Sequence, residues 1–273
     1  MSAATPSLET IARNVSPEEI QSLAQQFLRE GYVVIPTVLS RETCAELKEE
    51  VDGIYRNVPC DAPEQGYGDW LRVKLFHYSQ RFAQLIDHAP VIDVVEAILG
   101  NTCHLIANNF VRNDKDFSIS AWHVDDELLF PLPDGVEFDE RIELPCFILN
   151  TQWYLTDVGP DDGPTEVVPF SHRAGHHPPH CAPGAQPSYK NHPAKSLLVN
   201  AGDVALQHAQ VWHRGAPVRS NNTRYLLQYA YGKRCVAQRF FPFIGYTLPE
   251  HVKANASERR LRLLGHHPRG PYG

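Results

Sequence analysis

Ser120-Ala121-Trp122-His123-Val124-Asp125-Asp126 places a histidine and an aspartate two positions apart in a short run of strand-forming character. Successive side chains of a β-strand face opposite sides, so residues i and i+2 share a face. His123 and Asp125 therefore point the same way and set an imidazole beside a carboxylate. About ninety residues later Val211-Trp212-His213 offers a second imidazole, and Arg224 opens the otherwise apolar or neutral run Arg224-Tyr225-Leu226-Leu227-Gln228-Tyr229.

Two imidazoles and one carboxylate on one face of an octahedral Fe(II) leave three positions open, two for a chelating 2-oxo acid and one for oxygen. His-x-Asp alone is a weak signal. The plainer readings are a barrel histidine with a satisfied hydrogen bond and a solvated acidic turn at Asp125-Asp126-Glu127. His208 is an alternative distal ligand, close before His213 in the chain. A guanidinium entering a barrel needs an anionic partner, and a carboxylate bound through two parallel hydrogen bonds supplies one. The plainer reading of Arg224 is an edge-strand residue paired with a surface acid.

Outward from this stretch the chain changes character near residue 103. Short apolar or alternating runs at 104–111, 119–124, 146–155, 165–168, 196–199, 203–206 and 224–231 read as strands. Asp161-Asp162-Gly163-Pro164, Pro183-Gly184 and Ala201-Gly202-Asp203 separate some of them as turns. Many strands with no helices between them indicate an antiparallel barrel or sandwich. Before residue 103 the pattern is helical. Ser16-Pro17-Glu18-Glu19 has the form of a capped helix start, with Ile20, Leu23, Ala24, Phe27 and Leu28 at helical spacing and Gly31 as the stop. A strand at 32–36 follows, then a helix after Ser40 burying Cys44, Leu47, Val51 and Ile54, and further helices over 82–86 and 91–99. The expected fold is mainly β with helices, a barrel packed against N-terminal helices. One domain over residues 1–273 is expected, with helical support in 1–102, the barrel in 103–235 and an extension in 236–273 that holds a last helix over 257–264. Residues 157–193 read as loops over the barrel mouth.

A formal charge of -7, from 32 acidic and 25 basic residues, argues against nucleic acid as a partner, because phosphate binding needs clustered cations. The one dense basic run, Arg259-Arg260-Leu261-Arg262, reads as a solvated helix face. No run approaches the roughly 18 apolar residues that span a membrane, which excludes a membrane partner. The six scattered cysteines lack a C-x-x-C pair, and the first residues lack a signal-like apolar core, so a reducing cytoplasm is expected. His172, His176, His177 and His180 cluster around Pro178-Pro179; an exposed histidine-rich loop is favoured over a second metal site.

Together the motifs resemble the phytanoyl-CoA dioxygenase-like branch of the Fe(II)- and 2-oxoglutarate-dependent oxygenases over nearly the whole chain. The resemblance rests on Phe27-Leu28-Arg29-Glu30-Gly31-Tyr32-Val33-Val34-Ile35-Pro36, Trp122-His123-Val124-Asp125, and Asp162-Gly163-Pro164-Thr165-Glu166-Val167-Val168-Pro169-Phe170-Ser171-His172. Gly202-Asp203, Trp212-His213 and Arg224 complete it. The resemblance implies a double-stranded β-helix, the jelly-roll or cupin-like barrel. It implies that His123, Asp125 and His213 hold Fe(II) and that Arg224 binds the remote carboxylate of 2-oxoglutarate, with O2 as the oxidant. Gln152, Thr165 and Asn108 fall where the family often has inward residues near the co-substrate; ordinary polar residues of the barrel are the equal alternative.

The resemblance further implies oxidation of a C–H bond, by hydroxylation, desaturation or repeated oxidation, with release of succinate and CO2. Related halogenases lack the carboxylate ligand, and Asp125 is present here. Phe170 departs from the family's usual glycine, and residues 131–144 form a longer, more acidic insert expected to shape the substrate entrance. The substrate expected is a small molecule of specialised metabolism; no patch for CoA phosphates is evident. Phe130, Trp153 and Phe241 are candidates for its apolar wall, with Phe240, Phe243 and Tyr246 beside them, and Arg234 and Arg239 for holding an acid. Packing and surface ion pairs are the plainer roles of these side chains. Three rival functions are a zinc-dependent hydrolase with the same ligands, a non-catalytic cupin-like module that holds metal and 2-oxoglutarate, and a purely structural barrel. The residue pattern fixes neither the particular substrate nor an oligomeric state.

Overall fold

A computed structural model describes residues 15–60, 70–117, 119–133, 135–182, 185–239, 247–254 and 256–269. The first helix, α1 (Pro17–Glu30), starts where its caps require. The Ser16 hydroxyl accepts the Glu19 N–H, Pro17 takes the first helical position, and Gly31 closes the last turn with its N–H on the Phe27 carbonyl. Strand β1 (Tyr32–Ile35) leads to α2 (Arg41–Asn57), capped by Ser40 and burying Thr43, Cys44, Leu47, Val51 and Ile54. Then come β2 (Leu71–Val73), α3 (Gln80–Gln84) and α4 (Val91–Leu99). The helix expected over 82–86 is divided between α3 and a following 3-10 turn, Leu85–Asp87.

The strands that follow are β3 (His104–Asn113), β4 (Ile119–His123), β5 (Ile148–Tyr154), β6 (Thr165–Val167), β7 (Ser188–Tyr189), β8 (His192–Pro193), β9 (Lys195–Ser196), β10 (Val204–His208), β11 (His213–Gly215) and β12 (Arg224–Gly232). Short helices α5 (Glu250–Lys253) and α6 (Glu258–Leu263) lie near the C-terminus. A six-stranded sheet has the order β1-β10-β5-β12-β3-β2, and a four-stranded sheet the order β4-β11-β6-β9. Their pairings are antiparallel throughout. β1 and β2 come from the part of the chain expected to give helical support. The large sheet thus draws its two edge strands from either side of α2 in the chain.

Alternation divides the large sheet into two faces. On β12, Tyr225, Leu227, Tyr229 and Tyr231 join Phe27, Leu47, Val51, Phe82 and Val95 in the core between sheet and helices. Each large apolar side chain buried there contributes about 1.5–3 kcal/mol. Two phenols add direction: the Tyr229 hydroxyl donates to the Phe82 carbonyl at 2.6 Å, and the Tyr231 hydroxyl to that of Ile86 at 2.8 Å. The opposite face looks into the barrel, where Val111, Tyr154, Ala205 and Leu226 of the large sheet meet Val167 of the small one. Two sheets packed face to face around this interior make a double-stranded β-helix.

Two expectations about the surface are overturned. The basic run is not a solvated face: Arg259 pairs with Asp93 and Glu96, Arg260 with Asp87, and Arg262 with Glu96. Acids on α4 and the 3-10 turn after α3 dock α6 through it. His172 is also not exposed. It is buried, its Nε2 lies 3.1 Å from the Leu28 carbonyl, and its ring packs on His208. His176, His177 and His180 are exposed as expected, His176 with its ring against Trp212. Phe170 takes the left-handed conformation, with φ 67°, and stacks on His192; the turn keeps the backbone shape a glycine would have given it, at a conformational cost. Among the described residues, no helix is long and apolar enough to cross a membrane.

Candidate metal and co-substrate site

His123 closes β4 and His213 opens β11, and the two are direct partners across the ladder. Antiparallel partners share a face, so both imidazoles enter the barrel, with ring centroids 4.2 Å apart. Asp125 lies just beyond β4, in a bend that its backbone N–H ties to the Ala209 carbonyl at 2.9 Å. Its Oδ1 is 3.3 Å from His213 Nε2 and 3.8 Å from His123 Nε2. One ligand atom from each residue falls within 4.8 Å of the others, and among the described residues this is the one such cluster of three or more histidine, cysteine or acidic groups.

The protonation of the cluster suits a divalent cation. Nδ1 of His123 meets the Ala121 carbonyl at 2.8 Å, and Nδ1 of His213 meets that of Val211 at 3.0 Å. Each bond holds the hydrogen on Nδ1 and leaves the Nε2 lone pair facing inward. Burial, reinforced by His213, lowers the pKa of His123. Burial also disfavours the cation of His213, but Asp125 outweighs it and raises that pKa. For Asp125, burial pushes upward and the two histidines with Asn150 outweigh it, holding the carboxyl below its ordinary range. Asp125 lies deep among protein atoms yet keeps 29% of its side chain open, so the cluster is reachable from outside.

Arg224 is buried on the interior face of β12. One Nη donates to the Gly163 carbonyl, Nε has no partner, and among the described residues no carboxylate pairs with it. Burial lowers its pKa and Tyr154 opposes the shift, but a guanidinium stays charged in a protein. The group is therefore an uncompensated buried cation. A Cβ on Gly215 would sit 3.7 Å from its second Nη. Gly215 is two residues after His213 on the same strand face, a spacing of about 7 Å, with regular pairing to Thr165 and Val167 of β6. The guanidinium thus lies beside the next position on the strand face that carries His213.

Polar side chains fill the space beside Arg224. The Tyr154 hydroxyl lies 2.8 Å from Gln152 Oε1 and 3.1 Å from Thr165 Oγ1, and Gln152 Nε2 donates to Gln207 Oε1 at 3.1 Å. Gln152 and Thr165 both face the interior. Tyr154, Asn150 and Gln207 join them and were missed, although strand parity carries the signal: if Gln152 points inward, so do Asn150 and Tyr154.

Other expected site residues lie elsewhere. Asn108 is in register with Tyr229, so it faces the helices, and its Nδ2 bonds the Gln228 backbone; its neighbour Asn109 reaches the Gln228 side chain instead. Trp153 is adjacent to Gln152 on β5 and must face the other way. It is fully buried against Tyr229 and His88 in the helix-side core, with no access to a substrate. His208 faces Phe27 and His172, away from the cluster. Phe130 is partly exposed and packs on Phe147. Arg239 pairs with Asp126, next to the cluster. Phe240, Phe241, Phe243, Tyr246 and the Pro183-Gly184 turn lie outside the described residues. The acidic insert is held to the following loop, where Arg173 donates to the Asp139 and Ile142 carbonyls and Lys190 pairs with Glu137 and Glu140. It borders a cavity of about 540 Å³ with α1, which none of the three cluster residues lines.

Jelly-roll barrels that direct two histidines and a carboxylate inward include the double-stranded β-helix class of metal-dependent oxygenases. This chain matches the phytanoyl-CoA dioxygenase (PhyH) family over residues 27–225 and belongs to it. It is accordingly an Fe(II)- and 2-oxoglutarate-dependent oxygenase. Among solved structures it is similar to SnoN, a non-heme α-ketoglutarate-dependent epimerase from nogalamycin biosynthesis, with TM-score 0.62, 18% identity, and 86% of this chain and 94% of SnoN covered. HygX from Streptomyces hygroscopicus, solved with nickel and 2-oxoglutarate bound, gives 0.61 at 20% identity over 80% of this chain and 88% of its own. SnoK, a carbocyclase of nogalamycin biosynthesis, gives 0.56 at 18% identity over 84% and 87%. At such identities the likeness speaks for the fold.

Proposed function

We propose that His123, Asp125 and His213 hold one Fe(II), and that the chain oxidises a C–H bond of a small molecule of specialised metabolism, by hydroxylation, desaturation or successive oxidations. Bound iron and 2-oxoglutarate would activate O2, the oxidant: one oxygen atom would end in succinate as CO2 leaves, and the other would oxidise the C–H bond. The chain's own side chains do the rest. Arg224 grips the far carboxylate of 2-oxoglutarate, and the hydroxyls of Tyr154 and Thr165, which donate to Gln152 Oε1 in this structure, turn to donate to its remaining lone pairs. Burial of this end excludes water and orients the co-substrate's other end toward the three ligands. The substrate approaches from the side where Asp125 is open, past Phe130 and the Asp126–Arg239 pair.

The observation that carries this reading is the uncompensated guanidinium of Arg224. A donor set of two imidazoles and a carboxylate also suits zinc, but a hydrolase has no use for a buried cation one strand repeat from its metal. A dicarboxylate removes the anomaly. The small-molecule substrate draws support from HygX, solved with hygromycin B bound, and from SnoN, solved with nogalamycin RO. Free thiols at all six cysteines accord with a cytoplasmic setting.

Anaerobic titration of the apoprotein with Fe(II) and 2-oxoglutarate tests the assignment. The wild type is expected to develop the visible metal-to-ligand charge-transfer band of the chelate, and His213→Ala to lose it. A folded wild type without the band returns the zinc and structural readings.

A further inference from the structure

Asp125 is held at three points, and two of them lead to the sheet that supplies no ligand. Asn150 Nδ2 donates to Asp125 Oδ2. The other carboxylate oxygen, Oδ1, is the one near the two imidazoles, 3.3 Å from His213 Nε2 and 3.8 Å from His123 Nε2. The backbone N–H of Asp125 donates to the Ala209 carbonyl at 2.9 Å, and the Ala209 N–H in turn donates to the Ile148 carbonyl at 3.2 Å. Side chain and backbone of Asp125 are thus both moored to the start of β5. That strand is a firm anchor, because it is paired on both sides, with Asn150 opposite Gln207 on β10 and Ala230 on β12. Ala230 is small, which leaves the Asn150 amide room to cross the barrel toward the small sheet.

We infer that Asn150 is a positioning residue that keeps Asp125 a one-oxygen ligand. The inference rests on the proposed metal site. A carboxylate free to turn can offer both oxygens to the metal, and the second would occupy one of the three positions that 2-oxoglutarate and oxygen require. With Oδ2 engaged by Asn150, only Oδ1 faces the ligand cluster. Carboxylates that bind metals are commonly fixed by such outer hydrogen bonds, whose loss costs about 10–100-fold in metal affinity or activity. Asn150→Asp replaces the donor by an acceptor and sets like charges together. Asn150→Ala removes the donor and adds none.

The test is Co(II) binding to the apoprotein, with the visible d–d spectrum recorded before and after 2-oxoglutarate as a report on coordination. Wild type, Asn150→Ala, Asn150→Asp and His213→Ala are compared, each shown folded by its thermal transition. Expected in both Asn150 variants are an altered Co(II) spectrum and 2-oxoglutarate binding to the Co(II) form weaker by about 10-fold or more. If either Asn150 variant fails to fold, the other carries the comparison. Wild-type 2-oxoglutarate affinity and spectrum in a folded Asn150 variant, with Co(II) binding abolished in His213→Ala, overturn the role of Asn150 and leave the metal site standing. Undiminished Co(II) binding in His213→Ala overturns the metal site itself, and this inference with it.

Discussion

His172 and His208 pack ring against ring in the core, with centroids 5.1 Å apart and planes tilted by 43°. His172 comes from the 3-10 turn Ser171–Arg173 and His208 from the helix-side face of β10, beside Phe27. Burial, aided by Arg173, pulls His172 down to about 4. Burial, aided by His172, puts His208 well below its ordinary value. Both are neutral in the folded state at pH 7. In the unfolded chain each takes a proton near pH 6.5. The unfolded state therefore binds more protons between pH 6.5 and about 4, and stability falls as pH falls through that window.

For His172 alone the drop from 6.5 to about 4 corresponds to a loss of about 3 kcal/mol across the window. Urea unfolding at pH 7.5, 6 and 5 reads it directly. His172→Phe keeps a ring against His208 but cannot titrate, so its stability should vary less with pH than the wild type's. An unchanged pH slope in that variant would rule out His172 as the source.

Gly202 and Gly100 separate close approach from backbone conformation. Gly202 has φ +97°, and a Cβ there would lie 2.1 Å from the Leu39 carbonyl oxygen, whereas Gly100 has φ +91° with nothing within 4 Å. The Gly202 carbonyl also accepts the N–H groups of Val38 and Leu39, tying the approach to α2 against the start of β10. Gly100→Ala is expected to cost about 1–3 kcal/mol, the conformational part alone, because φ 91° with ψ 158° is a region essentially confined to glycine. Gly202→Ala adds a clash with backbone and should cost about 3 kcal/mol or more, read as a melting temperature lower by at least about 6 °C.

Arg224→Lys keeps the charge and gives up the planar pair of donors. Charge-assisted hydrogen bonds of this kind contribute about 1.5–3 kcal/mol. The KM for 2-oxoglutarate should rise about tenfold or more while Fe(II) affinity stays within about twofold. Succinate release against 2-oxoglutarate concentration gives the first quantity, and metal titration without co-substrate gives the second. An equal fall in metal affinity would place Arg224 in support of the ligands and not of the co-substrate.

The sheet order was not legible, but the faces of individual strands largely were. His123 and Asp125 come together as strand parity predicts, although Asp125 lies past the end of β4 and its direction is set by a hydrogen bond to Ala209. β11 has only three residues, His213–Gly215, too few to show a strand pattern in the sequence, and its pairing with β4 and β6 makes it a strand. Asn108, taken from the family resemblance, and Trp153, taken as an aromatic, face the helices because parity decides between neighbours, and neither choice rests on it. Asn109 and Gln152 are the members of those pairs that face inward. The docking of Arg259, Arg260 and Arg262 on Asp87, Asp93 and Glu96 joins segments more than 160 residues apart, which local pattern cannot express.

Tyr154 and Trp153 turn that parity into a test, because they are neighbours on one strand with opposite surroundings. The Tyr154 hydroxyl reaches Gln152 and Thr165 beside the Arg224 guanidinium, while Trp153 Nε1 donates to Thr151 Oγ1 on the helix side at 3.0 Å. Tyr154→Phe removes one hydroxyl from the proposed carboxylate end and should weaken 2-oxoglutarate binding about 5- to 10-fold, equivalent to about 1–1.4 kcal/mol, with metal affinity unchanged. Trp153→Phe leaves a cavity in the core and removes the hydrogen bond to the Thr151 hydroxyl, which still donates to the Tyr229 carbonyl at 3.1 Å. It should lower the unfolding free energy by about 2 kcal/mol and leave 2-oxoglutarate affinity at the wild-type level. Chelate titration paired with urea unfolding distinguishes them. If both substitutions weaken 2-oxoglutarate equally, the co-substrate senses only the stability of β5, and the carboxylate end lies elsewhere than beside Tyr154.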